Sequence, residues 1–193
     1  DARVDVMSVI RAFGIPTEFP EDVKKQVQSV PAEVSLEEVA GRMDLRDQMT
    51  VTIDGEDAKD LDDAITLSKK GKHFLLGVHI ADVTHYVPEG SPLDLEAAGR
   101  GTSVYFVNKV IPMLPRELSN GICSLNEGVD RLALSCIMEI DEKGKILGHE
   151  IAETVIRVNH RMSYTQVAAI LDGDEALSKT YSDAADMLGD MLE

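Results

Sequence analysis

Hydrophobic and polar positions along the chain change their spacing several times, and each change marks an element. In the first 43 residues Val6, Ile10 and Phe13 share an apolar face at helical spacing, Pro16 and Pro20 interrupt it, and Ser35 with Glu38 spells a capping box. Short helices and loops are expected over residues 1–43, as a connecting segment. From Met49 to Ile53 β-branched and polar residues alternate, which is the two-residue period of a strand. An acidic stretch intervenes. Ile65 to Ser68 then resumes an extended pattern and Lys69-Lys70-Gly71-Lys72 makes a turn. His73 to Val83 is apolar almost throughout, which predicts a mid-sheet strand buried on both faces.

Ser91-Pro92 places an N-cap before a proline at the first helical position, and Gly99 and Gly101 close that helix near residue 100. Thr102 to Val107 returns to strand. Leu132–Ile140 and Ile146–Val158 form a second hairpin around the turn Asp141-Glu142-Lys143-Gly144-Lys145. Ser163 with Gln166 spells another capping box before a helix to Leu171, and Tyr181–Glu193 carries alanine, methionine and leucine at helical spacing. The last helix has no cap signal, so continuation of the chain is expected. The architecture is mixed α and β, without repeats.

Composition narrows the class. With 193 residues and 44% hydrophobic side chains, the chain suits one domain with a core, or part of a larger one. No window approaches the roughly 18 consecutive apolar residues of a membrane span, and no leader opens the sequence, so a soluble, cytoplasmic protein is expected. The two cysteines, Cys123 and Cys136, lie in apolar stretches without zinc or disulfide spacing and read as reduced core residues. A formal charge of -16 argues against nucleic acid as partner, since phosphate attraction needs a basic surface. The acids are clustered, however, which suits divalent cations.

That clustering is densest between Asp54 and Asp63. Asp54, Glu56, Asp57, Asp60, Asp62 and Asp63 stand there against the single base Lys59, directly after a strand that should be buried. Crowded carboxylates raise one another's pKa and lose solvation, so a folded cluster calls for compensating cations. Mg²⁺ takes hard oxygen ligands and keeps waters and phosphate oxygens, so a few aspartates on one loop suffice. An EF-hand does not fit: Lys59 stands where its glycine is required and Ile65 where its bidentate glutamate belongs. The plainer alternative is a solvated acidic turn.

The string Thr52-Ile53-Asp54-Gly55-Glu56-Asp57-Ala58-Lys59-Asp60-Leu61-Asp62-Asp63-Ala64-Ile65 decides between them. It resembles the catalytic signature of the ribonuclease II/ribonuclease R family. Gly77-Val78-His79-Ile80-Ala81-Asp82-Val83, Tyr86-Val87, Tyr105, Ile111-Pro112-Met113-Leu114-Pro115-Arg116-Glu117-Leu118, Cys123-Ser124-Leu125 and Arg131-Leu132-Ala133-Leu134-Ser135 continue the resemblance in order, over roughly residues 44–170. The strings lean towards the ribonuclease R branch. Glu127 departs, standing where family members often have proline.

The resemblance implies an α+β fold with a mixed, mostly antiparallel sheet flanked by helices, and identifies residues 44–193 as the amino-terminal part of an RNB catalytic domain. It implies a Mg²⁺-dependent 3′-to-5′ exoribonuclease, with Mn²⁺ as a substitute ion, acting processively on single-stranded RNA and releasing nucleoside 5′-monophosphates. Asp54, Asp60, Asp62 and Asp63 carry over as catalytic, metal-holding aspartates, with Asp62 singled out for the chemical step. Tyr105, which on residues alone reads as a core aromatic, carries over as a base-stacking residue at the RNA 3′ end. His79, Asp82 and His85 read as structural polar residues, or else as groups supporting the aspartates. The family's arginine, glutamate and second base-clamping aromatic, and its cold-shock and S1 domains, have no counterpart here. The chain is therefore expected to be a fragment, inactive alone, of an enzyme that works as a monomer without membrane or nucleotide cofactor. A binding module that has lost catalysis is the rival; four intact aspartates weigh against it. A purely cation-binding or phosphatase-like domain is a third reading, which the other strings do not suggest.

Overall fold

The computed structural model of the chain describes residues 2–107 and 109–192. In chain order it contains α1 (Ala2–Ala12), α2 (Glu21–Val27), α3 (Leu36–Val39), β1 (Met43–Asp44), β2 (Thr50–Asp54), β3 (Asp63–Lys70), β4 (His73–Ala81), α4 (Val83–Tyr86) and α5 (Pro92–Arg100). There follow β5 (Val104–Phe106), β6 (Lys109–Ile111), β7 (Asp130–Ile140), β8 (Ile146–Arg157), β9 (His160–Ser163), α6 (Tyr164–Leu171), α7 (Glu175–Thr180) and α8 (Ser182–Leu192). Two compact units result, Asp1–Pro31 with Val83–Ser119 and Ala32–Asp82 with Asn120–Glu193.

The second unit holds a seven-stranded sheet in the order β1-β8-β7-β4-β3-β2-β9. Its central pairings are antiparallel, and β1 with β8 and β2 with β9 pair in parallel. The expected α+β fold with a mostly antiparallel sheet is therefore the one observed. Both predicted hairpins form, β3–β4 and β7–β8, and both capping boxes close, at Ser35/Glu38 and Ser163/Gln166. On one face Val51, Met162, Ile170, Ala184, Met187 and Leu188 make a buried apolar cluster joining α6 and α8 to β2 and β9, with Ile53 and Leu67 packed against it. Burying each of the larger of these side chains is worth about 1.5–3 kcal/mol.

β4 lies mid-sheet as predicted, but it is not buried on both faces. Gly77, His79 and Ala81 are buried, whereas Ile80 is 47% exposed, as is its cross-strand neighbour Leu134 at 49%. The α6/α8 layer packs on β2, β3 and β9. A strand's place in a sheet follows from its hydrogen-bonding neighbours; its burial follows from the layers above and below. On the buried face a polar chain runs across the strands: Thr66 Oγ1 to His79 Nε2 at 3.0 Å, His79 Nδ1 to Ser135 Oγ at 2.7 Å, and Ser135 Oγ to Thr154 Oγ1 at 2.6 Å. Gly77 makes room for it, since a Cβ there would stand 2.3 Å from Thr66 Oγ1 and 2.7 Å from His79 Nε2. Of the cysteines, Cys123 is buried, which pushes its thiol up to about 12, and Cys136 is half-buried; both are free.

In the first unit α2 packs on α5 through Val23 and Leu93, and the Leu93 N–H donates to Gln26 Oε1 at 2.9 Å. Ser91 caps α5 and Gly101 ends it at φ 72°, as its sequence predicts. Arg100 gathers this unit: its guanidinium stacks 3.8 Å from the Phe19 ring centre and donates to the carbonyls of Pro16, Glu18 and Pro112. The apolar face expected on α1 is only partly realised. Ile10 is buried, but the helix ends at Ala12 and Phe13, one residue beyond it, is 79% exposed. β1, β6, β9 and α7 have no sequence forecast; at two to six residues they are too short to establish a period.

Candidate active site

The strands on either side of the acidic stretch are antiparallel neighbours, with Thr50 opposite Thr66 and Val51 opposite Ile65. Asp54 therefore ends β2 and Asp63 begins β3, and Asp60 and Asp62 lie on the loop between them. The loop is fastened through its backbone. The Leu61 side chain is fully buried, its N–H donates to Ser124 Oγ at 3.1 Å, and its carbonyl accepts from the Leu125 N–H at 2.9 Å. Ser124 Oγ donates to the Lys59 carbonyl at 2.9 Å, and the Ala81 N–H donates to the Asp62 carbonyl at 3.0 Å. From β9, Arg161 Nη2 donates to the carbonyls of Glu56 at 3.1 Å and Ala58 at 2.5 Å. With the backbone bonded in this way, the loop leaves Asp62 and Asp63 exposed and Asp54 and Asp60 half-buried.

The backbone holds those acids close enough to repel one another. Desolvation raises the Asp54 carboxyl above its ordinary value, the charges of Asp63, Asp62 and Asp60 add to the rise, and the Arg161 guanidinium opposes it. Asp62 is raised in the same way, by desolvation first and then by Asp60 and Asp63. The charges of Asp60 and Asp63 are thus felt by both Asp54 and Asp62. Among the described residues, however, no three His, Cys, Asp or Glu side chains converge as a preformed metal cage. The donor set fits Mg²⁺ in kind and charge, hard oxygens with excess negative charge. It need not form a cage, because Mg²⁺ is held by one or two carboxylates together with waters and phosphate oxygens.

The remaining candidates separate. Tyr105 belongs to the first unit, on β5 opposite Val110, and is 64% exposed. The core reading of Tyr105 is thereby overturned, because a two-stranded ribbon leaves one face outward. His79 is fully buried in its hydroxyl chain and burial holds it down at about 4, so it is neutral at pH 7. Asp82 forms an ion pair with Arg42 at 2.7 Å, the two side chains 10% and 7% exposed, and its N–H donates to the Leu132 carbonyl. His79 and Asp82 are thus structural. His85 stands edge-on to the Tyr86 ring in the first unit.

Two contributors escape sequence reasoning. Ser124 lies in the Cys123-Ser124-Leu125 string, which assigns it no role, and Arg161 lies in no string; both are far along the chain from the loop. Glu127, the departure from the family pattern, accepts the Arg161 N–H at 2.9 Å. It therefore steadies the strand from which Arg161 reaches the loop.

Comparison with known proteins gives a consistent result. The family model described as the RNB domain matches residues 42–193. Ribonuclease R of Thermotoga maritima is 50% identical over 196 residues, covering 100% of this chain and 28% of the relative. Ribonuclease R 1 of Lactococcus lactis is 48% identical over 194 residues, covering 100% of this chain and 24% of the relative. The chain thus spans about a quarter of the length of these relatives. Among solved structures, Mycoplasma genitalium RNase R in complex with double-stranded RNA superposes with a TM-score of 0.86 at 32% identity, over 98% of this chain and 35% of that one.

Proposed function

The chain belongs to the RNB-domain family, and from that premise we propose that its parent protein is a processive 3′-to-5′ exoribonuclease, hydrolysing single-stranded RNA with release of nucleoside 5′-monophosphates. The observation that carries the reading is the loop between β2 and β3, where Asp54 and Asp62 are both raised by desolvation and by their acidic neighbours. Partly desolvated carboxylates that repel one another favour a bound divalent cation, which returns the energy of ionising them.

Asp54, Asp60, Asp62 and Asp63 would hold Mg²⁺, or Mn²⁺ in its place, at the scissile phosphate, with Asp62 the most sensitive to replacement. When bound, such ions lower the pKa of water and stabilise the leaving 3′ oxygen in phosphodiester hydrolysis. The chain supplies the fixed backbone, through Leu61, Ser124 and Arg161, that lets the carboxylates meet the cation without reorganising. Tyr105 offers an exposed ring on which a base can stack, worth about 1–3 kcal/mol per base and tolerant of sequence. A chain of net charge -16 supplies little phosphate attraction of its own. The basic surface that grips RNA is therefore assigned to other parts of the parent, which we take to be cytoplasmic and monomeric.

The test is 5′-labelled single-stranded RNA incubated with the full-length parent, wild type and Asp62→Asn, with and without Mg²⁺. Stepwise shortening that requires the metal and disappears in the variant is the expected result. RNA binding without shortening in either protein would instead identify a module that has lost catalysis.

A further inference from the structure

The acidic loop is held at its centre by a side chain more than 60 residues away along the sequence. Ser124 is fully buried. Its hydroxyl accepts from the Leu61 N–H at 3.1 Å and donates to the Lys59 carbonyl at 2.9 Å, so the two bonds straddle Asp60. A hydroxyl has one proton to give. The Lys59 carbonyl takes it ahead of Asn126 Oδ1, which lies at 3.3 Å. Ser124 is in turn fixed: its N–H donates to the Gly121 carbonyl at 3.1 Å, and the buried Arg131 donates from Nε to the Ser124 carbonyl at 2.8 Å and from Nη2 to the Gly121 carbonyl at 3.2 Å. The next residue completes the grip, Leu125 N–H to Leu61 carbonyl at 2.9 Å.

We infer that Ser124 is a positioning residue for the metal-holding loop: by bridging the Lys59 carbonyl and the Leu61 N–H it fixes the backbone around Asp60, so that Asp60 and Asp62 would meet a divalent cation without the loop having to order first. The inference rests on the reading of these aspartates as Mg²⁺ holders. Its physical basis is the intolerance of Mg²⁺ for irregular geometry: it takes oxygens at about 2.0–2.1 Å in a near-octahedral arrangement. A loop that must be ordered at the moment of binding spends binding energy on its own entropy, and one ordered beforehand does not. Plain packing would be served as well by alanine. Two bonds aimed at backbone groups on either side of a candidate ligand are what supporting groups around a metal provide.

The experiment is calorimetric titration of the full-length parent with Mn²⁺, comparing wild type, Ser124→Ala, Ser124→Cys and Asp62→Asn, with a thermal melt of each. Ser124→Ala is expected to melt cooperatively and to bind Mn²⁺ about 10- to 100-fold more weakly. Ser124→Cys, of nearly the same shape but with a poorly hydrogen-bonding sulfur, falls between alanine and wild type. In the RNA assay the Mg²⁺ concentration for half-maximal rate rises by the same factor, while the rate at saturating Mg²⁺ recovers. A folded Ser124→Ala protein that binds Mn²⁺ as wild type does overturns the role of Ser124 alone. Should the alanine variant not fold, Ser124→Cys decides, and wild-type affinity there overturns the inference equally. Identical Mn²⁺ binding by wild type and Asp62→Asn would remove the metal reading of the loop, and this inference with it.

Discussion

Along the edge where β1, β8 and β7 run side by side, acids and arginines alternate. Arg46 donates to Asp44 and to Asp130, Arg157 donates to Asp130, and Arg42, one residue before β1, pairs with Asp82. The Arg46 guanidinium beside Asp44 holds that carboxyl down at about 2. In the loop between β2 and β3 of the same unit, four aspartates crowd together and the two whose shift is resolved move upwards instead. Arg161, the guanidinium that opposes the rise at Asp54, spends donors on backbone carbonyls there, whereas Arg46 spends its donors on carboxylates. Acids matched by arginines are finished internally. Acids crowded over a satisfied backbone leave their charge to something that comes from outside.

The largest expected effect separates the two regions by activity. Asp62→Asn in the parent should lower the Mg²⁺-dependent rate of RNA shortening by at least about 10²-fold, the scale of losing one group that stabilises developing charge. Asp130→Asn should leave that rate within about twofold and appear instead in the melt, since Asp130 is half-buried between the Arg46 and Arg157 guanidinium groups.

Next comes the pair that is matched and buried. Arg42→Met leaves the Asp82 carboxylate buried without its guanidinium, and a urea titration should show a loss of about 3–5 kcal/mol. An unchanged midpoint would mean that Asp82 reaches water.

Smaller, and opposite in sign, is the effect of relieving the crowd. With chelator present, Asp54→Asn or Asp62→Asn should raise the melting temperature by about 1–2 °C, allowing for partial exposure. Saturating Mn²⁺ should reverse the order, stabilising wild type by about 2.7 kcal/mol at a hundred times its dissociation constant while the variants gain less.

The smallest effect is in pH. Asp62 titrates higher in the folded chain than the ordinary 3.8, so its contribution is full below 3.8 and is lost as pH rises through the raised value. Asp44 titrates lower, so its contribution is full above 3.8 and is lost as pH falls towards 2. Melts of Asp62→Asn and Asp44→Asn against wild type in chelator should therefore diverge in opposite directions: the first gains on wild type as pH rises above about 4, the second closes on it as pH falls below about 4. Parallel curves would erase the distinction between the two regions.

Much of this was legible beforehand, and the particular residues show why. Ser35 with Glu38, Ser163 with Gln166, and Ser91 with Pro92 announce helix starts because a cap is satisfied within three residues of itself. The hairpins were legible because alternation and turn residues act over one strand length. The crowding of Asp54, Asp60, Asp62 and Asp63 was legible because a short loop cannot move its own charges far apart. Tyr105 was not: an aromatic in an extended pattern has the same sequence signature whether a layer covers it or, as here, leaves it 64% exposed. Ile80 misleads for the same reason.

The local elements, the β3–β4 hairpin and a loop whose charge asks for a cation could thus be read from the chain by itself, since each depends on nearby residues, and the continuous apolar run of β4 marked it as a mid-sheet strand. Tertiary structure alone decided that Asp82 would be neutralised by Arg42 and that His79 would be buried among Thr66, Ser135 and Thr154. It also decided that Ser124 and Arg161 would fasten the acidic loop by its backbone. Such contacts join residues from 13 to 105 positions apart, and they arise when strand order and helix packing bring a donor to an acceptor. No periodicity in either segment records that meeting.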